Sequence, residues 1–194
     1  MPVSSSPFNP TLDDVRRALS LRDFDPRPAQ LRMAPRHRPL RRPAQMKGQP
    51  KLGGVLLLLY PFNGELAFVL TRRTEMVATH KGQISLPGGA QEPGETIQQT
   101  ALREACEELR ICLDTVDVLG WLTPLYIPPS DFEIHPTVAY ITPRPVFEPD
   151  PVEVAEVLEM SLPMLLDDRF KVKERWEWRG QEIDVPFYRL GGHV

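Results

Sequence analysis

An α+β architecture, a mixed β-sheet flanked by helices, follows from three features of the chain. Strand-like runs outnumber helical ones. The first two of them are joined by Asn63-Gly64, the strongest short hairpin signal. Long helices able to cross over between parallel strands are missing, which argues against a doubly wound sheet.

The segment TLDDVRRALS reads as a short helix: Thr11 caps it, Asp13 and Asp14 suit the positive end of its dipole, and Leu12, Val15 and Leu19 recur at helical spacing. Residues 26–51 hold six of the 22 prolines and eight of the 23 basic residues, with no acid. Proline at that density removes helix hydrogen bonds and ladder donors together, so this arm is expected to run extended over the surface. Strands over Gly53 to Tyr60 and Glu65 to Arg72 make the hairpin, and a glycine-rich bend at Pro87-Gly88-Gly89 leads into a helix over Thr96 to Leu109. Further strands are expected at Val116 to Leu125, Ile134 to Ile141, Glu156 to Ser161, Phe170 to Trp178 and Glu182 to Tyr188, with a short helix near Leu162 to Asp167. The expected organisation is a helical lead-in (1–25), the basic arm (26–51) and one main domain (52–194).

Hydrophobic residues at 41% and charged residues at 25% are ordinary for a globular chain and exclude collagen-like, disordered and coiled-coil classes. The longest apolar run, Val55 to Tyr60, is far short of the roughly 20 residues of a bilayer span, so no membrane partner is expected. The first residues lack the basic start and apolar stretch of an export signal, and Cys106 and Cys112 are too few for a disulfide framework. Both features imply a cytoplasmic protein, with the cysteines as small buried hydrophobes. The net charge of -3 is unevenly spread: outside the arm, 15 basic residues face 26 acidic ones. The arm interleaves no aromatic residue for stacking on a base, which argues against nucleic acid. A surface connection, or attraction of an anionic substrate, accounts for it.

The chemistry concentrates in the segment from Thr96 to Leu109. At about 100° per residue, Ala101, Leu102, Ala105, Cys106 and Leu109 share one arc, the expected buried face. Glu104, Glu107 and Glu108 converge at i, i+3 and i+4 on the other side. Like charges at these spacings cost a helix roughly 0.2 to 0.5 kcal/mol a pair. Lys or Arg four residues on, the usual remedy, is absent: Glu104 is followed there by Glu108, and Glu107 by Ile111. Clustered oxygen ligands suit a hard cation such as Mg²⁺ or Mn²⁺, although three helical glutamates alone also describe an acidic surface.

From Gly89 the chain reads GAQEPGETIQQTALREACEELRI: a glycine, five residues, Glu95, seven residues, Arg103-Glu104, then Glu107-Glu108. This resembles the Nudix box, the loop-helix-loop signature of enzymes that hydrolyse nucleoside diphosphates linked to another group. The resemblance implies a Nudix-like α/β/α sandwich and a divalent cation, Mg²⁺ or Mn²⁺. It makes Glu104 and Glu108 principal metal ligands and Glu107 a further ligand or outer-shell group. Glu95 then holds Arg103 in place, and Glu107 is the first candidate for the general base. One position departs: Arg110 stands where the box has glycine, at a left-handed helix terminus that arginine adopts at a penalty of about 1 kcal/mol. The implied reaction is metal-assisted, in-line attack of water on a pyrophosphate phosphorus.

Upstream, LTRRTEMVATHKGQISLPGG is similar to the motif of the coenzyme A pyrophosphatases within that family, with Leu70, Thr71, Arg73, Gly82 and Pro87-Gly88-Gly89 in step. Ala78 replaces an arginine of that motif and Leu86 a phenylalanine. The resemblance implies hydrolysis of coenzyme A or acyl-coenzyme A to 3′,5′-ADP and 4′-phosphopantetheine or its acyl form. Arg73, His80 and Lys81 become candidates for the anionic end of the substrate; ordinary surface charge is the other account of His80 and Lys81. Gly88 and Gly89 let backbone approach a phosphate or metal, and equally serve a tight turn. The alternatives are another nucleoside diphosphate derivative such as ADP-ribose, or a Nudix fold kept as a non-catalytic nucleotide- or nucleic-acid-binding module. The resemblance also leads us to expect a further helix after the final GGHV, and a homodimer would cover the apolar surface left without it.

Overall fold

The computed structural model describes residues 8–35, 39–75, 82–111, 116–178 and 180–189, with Trp178 and Gln181 described by their backbone alone. Its centre is an eight-stranded mixed sheet containing β1 (Lys51–Phe62), β2 (Glu65–Arg73), β3 (Ile84–Ser85), β4 (Gly88–Ala90), β5 (Asp117–Trp121), β6 (Leu125–Ile127), β7 (Phe132–Tyr140) and β8 (Val154–Ser161). Strands run in the order β3-β2-β1-β7-β5, while β4 also pairs with β1, β6 with β7 and β8 with β2. The β1–β7 pair is parallel from Lys51↔Phe132 to Leu59↔Tyr140, and the other pairs are antiparallel, which makes the sheet mixed.

The hairpin closes on Asn63 and Gly64, both left-handed at φ 51° and 81°, as a two-residue type I′ turn demands. Its strands pair only from Leu59↔Phe68 to Phe62↔Glu65; further along they part, and β4 takes the vacated edge of β1 through Gly53↔Ala90, Gly54↔Gly89 and Val55↔Gly88. The stretch expected to be a bend is therefore a strand, because β1 offers it an unpaired ladder that no local pattern reveals. The expected strand over Val116 to Leu125 likewise divides into β5 and β6, both laid on β7.

Alternation along β1 and β2 sends Leu56, Leu58, Tyr60, Ala67 and Val69 to one face, where α3 (Ile97–Leu109) covers them with Ala101, Ala105 and Leu109. Leu59, Leu66, Phe68, Val138, Leu158 and Met160 point to the opposite face, where Val15 and Leu19 of α1 (Leu12–Leu19) and Leu162 and Met164 of α4 (Leu162–Leu166) pack. The molecule is thus layered α/β/α. Helix α1 has the expected Thr11 cap, here a full capping box with Asp14. A separate hairpin, β9 (Lys171–Trp178) with β10 (Gln181–Tyr188), follows a 3₁₀ turn at Asp168–Phe170. Among the described residues no helix is long and apolar enough to cross a membrane.

The basic arm departs most from expectation. Arg27–Arg32 forms a short helix, α2, whose prolines fall in the first turn and before it, where a missing N–H costs nothing. Farther on, Arg42 gathers its own loop. Its Nε and one Nη donate to the two carboxylate oxygens of Asp131 at 2.8 and 2.9 Å, and its remaining N–H groups reach the carbonyls of Met46, Lys47 and Gly48 at 2.9 to 3.0 Å. All five guanidinium donors are used. Tyr126 is buried in β6 and donates to Asp131 at 2.9 Å.

Candidate functional site

Helix α3 starts from a capping box between Thr96 and Gln99 and ends at Arg110, which takes the left-handed conformation at φ 58°. It lies so close to the sheet that a Cβ on Gly54 would stand 2.5 Å from the Ile97 carbonyl oxygen. On β4, a Cβ at Gly89 would fall 2.4 Å from the Glu104 carboxylate. These two positions need glycine for close approach, and together they press the glutamates of α3 against the backbone of β4.

Arg103 is the organiser of the outer half of the site. Its Nε donates to Glu95 Oε1 at 2.7 Å, one Nη donates to Glu104 Oε1 at 2.9 Å and Glu107 Oε2 at 2.8 Å, and the other to the Ala90 carbonyl at 3.2 Å. Glu95 also accepts from Thr100 Oγ1 at 2.9 Å. The hydrogen bond from Arg103, with that from Thr100 and the Glu92 N–H, lowers the Glu95 carboxyl to about 2 despite its partial desolvation. Arg103 is raised above its usual range by the same contacts.

Glu108 forms the inner half. Its side chain is 3% exposed, with Thr71 Oγ1 at 3.5 Å, Arg73 Nη1 at 3.6 Å and a hydrogen bond from the Gly88 N–H. Burial raises it to about 7; the Arg73 charge opposes this, and the charges of Glu104 and Glu153 add to it. Glu104 is raised too, again chiefly by burial, with Arg103 opposing and Glu107 and Glu153 adding. Glu107 is 57% exposed at the rim.

The expected division of α3 into an apolar and an acidic face is therefore corrected. Glu108 and Thr100 are buried with Ala101, Ala105 and Leu109, whereas Leu102 and Cys106 are only partly buried. At about 100° per residue Glu108 falls only about 20° outside the apolar arc, a signal the spacing already contained. Arg73 stands at the site, on the face of β2 turned to α3; Gly88 and Gly89 line it as β4. His80, Lys81, Ala78 and Cys112 lie outside the described residues. Sequence reasoning missed Glu153, which reaches the site from the turn before β8: its carboxylate is 3.8 Å from Arg73, and the Thr74 N–H donates to its carbonyl at 3.0 Å. Nothing in its local sequence marks it, since it comes from 45 residues beyond Glu108.

A profile of the NUDIX domain matches residues 50–178, from β1 through β9. The chain belongs to the Nudix family. It is 34% identical over 149 residues to the chloroplastic Nudix hydrolase 22 of Arabidopsis thaliana, covering 75% of this chain and 49% of that protein. It is 36% identical over 127 residues to the mitochondrial coenzyme A diphosphatase NUDT8 of Mus musculus, covering 63% and 60%. The chain spans about half the length of the curated relatives it matches. Its mixed sheet with flanking helices is the Nudix fold, shared with the crystal structure of the Nudix hydrolase RenU from M. smegmatis at a TM-score of 0.50, 23% identity, 59% of this chain and 72% of that one.

Proposed function

We propose that this Nudix chain hydrolyses the pyrophosphate bond of coenzyme A or acyl-coenzyme A with Mg²⁺ or Mn²⁺, releasing 3′,5′-ADP and 4′-phosphopantetheine or its acyl form. The observation that carries the reading is Glu108: a desolvated carboxylate beside a second one, Glu104, against the glycine backbone of β4. Buried negative charge in an all-oxygen donor set fits a hard divalent cation. Among the described residues no three acidic, histidine or cysteine groups are placed to hold an ion, so the cation would depend on substrate oxygens and water as well as on protein carboxylates. Glu104 and Glu108 would hold it, with Glu107 at the rim. Such an ion neutralises phosphoryl charge and lowers the pKa of bound water.

The chain's own residues do the rest. Arg103 fixes the direction of Glu104 and Glu107, and Glu95 fixes Arg103. Glu107, exposed at the mouth, is the residue we assign to accept the proton of the attacking water. Arg73 faces the phosphoryl groups. The coenzyme A specificity is supported by Thr71 and Arg73 of the LTRR segment and Gly88 of Pro87-Gly88-Gly89 all reaching Glu108, and by the likeness to a coenzyme A diphosphatase. Hydrolysis of coenzyme A, dephospho-coenzyme A and ADP-ribose with Mg²⁺ tests it: coenzyme A is expected to be preferred, and a clear preference for ADP-ribose overturns the substrate.

A further inference from the structure

We propose that Arg73 holds, in the ion-free chain, the positive charge that a divalent cation supplies in the loaded one, so that guanidinium and cation compete for Glu108. This rests on reading Glu104, Glu107 and Glu108 as the cation site. The geometry points to it through the way Arg73 is held. Its Nη atoms lie 3.6 Å from Glu108 and 3.8 Å from Glu153, within reach of charge but beyond a normal hydrogen bond. Its Nε is buried with no hydrogen-bond partner among the described residues.

Two other arginines of the chain show the contrast. Arg42 uses every donor, and Arg103 makes contacts of 2.7 to 2.9 Å to three carboxylates. A guanidinium with five donors in a fixed fork ordinarily binds carboxylates in that close fashion. Arg73 therefore sits where charge balance places it, with little directional bonding to give up on leaving. Ionised Glu108, buried beside Glu104, is stabilised by nearby positive charge, and a second positive charge brought to it repels the first. Glu153 offers Arg73 an anchor independent of Glu108. A guanidinium released from Glu108 stays tethered at the mouth with its donors free for a phosphoryl oxygen. Arg73 is thus a stand-in for the cation's charge at Glu108, displaced when the cation binds.

The test uses the whole chain, stripped with EDTA, at one fixed pH and without substrate. Free Mn²⁺ is followed by its electron paramagnetic resonance signal, and urea unfolding is measured with and without saturating Mn²⁺. Arg73→Met keeps the apolar stem and removes the charge; it is expected to bind Mn²⁺ about tenfold more tightly than the parent, while Arg73→Lys stays within about threefold. Arg73→Met is also expected to lower the urea midpoint without Mn²⁺ and not with it. Equal or weaker Mn²⁺ binding, or equal destabilisation in both conditions, overturns the proposal. Should Arg73→Met not fold, Arg73→Gln carries the same expectations. Glu108→Gln separates the two levels: unchanged Mn²⁺ binding in that variant sinks the cation site itself, whereas weakened binding there with no effect of Arg73→Met sinks only the competition.

Discussion

Glu108→Gln should change how stability depends on pH, and the sign follows from burial. The Glu108 carboxyl titrates near 7 in the folded chain and near its ordinary value of 4.5 when unfolded. Between those values the folded state binds more protons than the unfolded one, so stability is lost as pH rises through the window. At about 1.4 kcal/mol per pH unit of displacement, the ion-free parent loses about 2 to 3 kcal/mol between pH 5 and pH 8 from this group alone. Glutamine keeps the size and polarity and cannot ionise, so the variant lacks that part of the decline. Urea unfolding in EDTA at several pH values measures it, as the difference between the two pH slopes. Saturating Mg²⁺ should flatten the parent's curve and leave the variant's unchanged, because a cation favours the ionised carboxyl. Parallel slopes for parent and variant in EDTA would refute the argument that desolvation governs Glu108.

The other predictions concern the scaffold around that carboxylate. Gly54→Ala places a methyl 2.5 Å from a helix carbonyl and should cost about 2 kcal/mol or more by urea unfolding, since backbone on both sides must shift; an unchanged midpoint would mean α3 does not rest on β1 as described. Arg103→Lys cannot reach Glu95, Glu104 and Glu107 at once, so turnover should fall about a hundredfold with the fold retained by circular dichroism; turnover within a few-fold of the parent would remove Arg103 from its orienting role. Arg42→Ala leaves the Met46, Lys47 and Gly48 carbonyls without their shared donor, and limited proteolysis between residues 39 and 50 should speed up by about tenfold or more; an unaltered digestion rate would show that the loop is held by something else.

What could be read without a structure was whatever the chain builds from near neighbours. The Asn63-Gly64 hairpin, the Thr11 cap and the helix carrying Glu104, Glu107 and Glu108 all depend on residues within a few positions of one another, and each is where the pattern put it. The left-handed conformation of Arg110 was legible only through the resemblance, which puts glycine at that position. The box spacing that marks the Nudix family is likewise a local string. Tertiary structure decided the rest, because pairing and burial are settled between distant segments. Gly88–Ala90 became a strand only because β1 and β2 part company, and Arg42 curled the proline-rich arm around itself only because Asp131, 89 residues away, supplied the counter-charge. Glu108 shows both contributions at once: its sequence supplied a carboxylate at helical spacing, but the sheet beneath α3 withdrew it from water and brought Arg73 and Glu153 beside it. A carboxylate's chemistry is set by its surroundings, and those surroundings come from three separate stretches of chain.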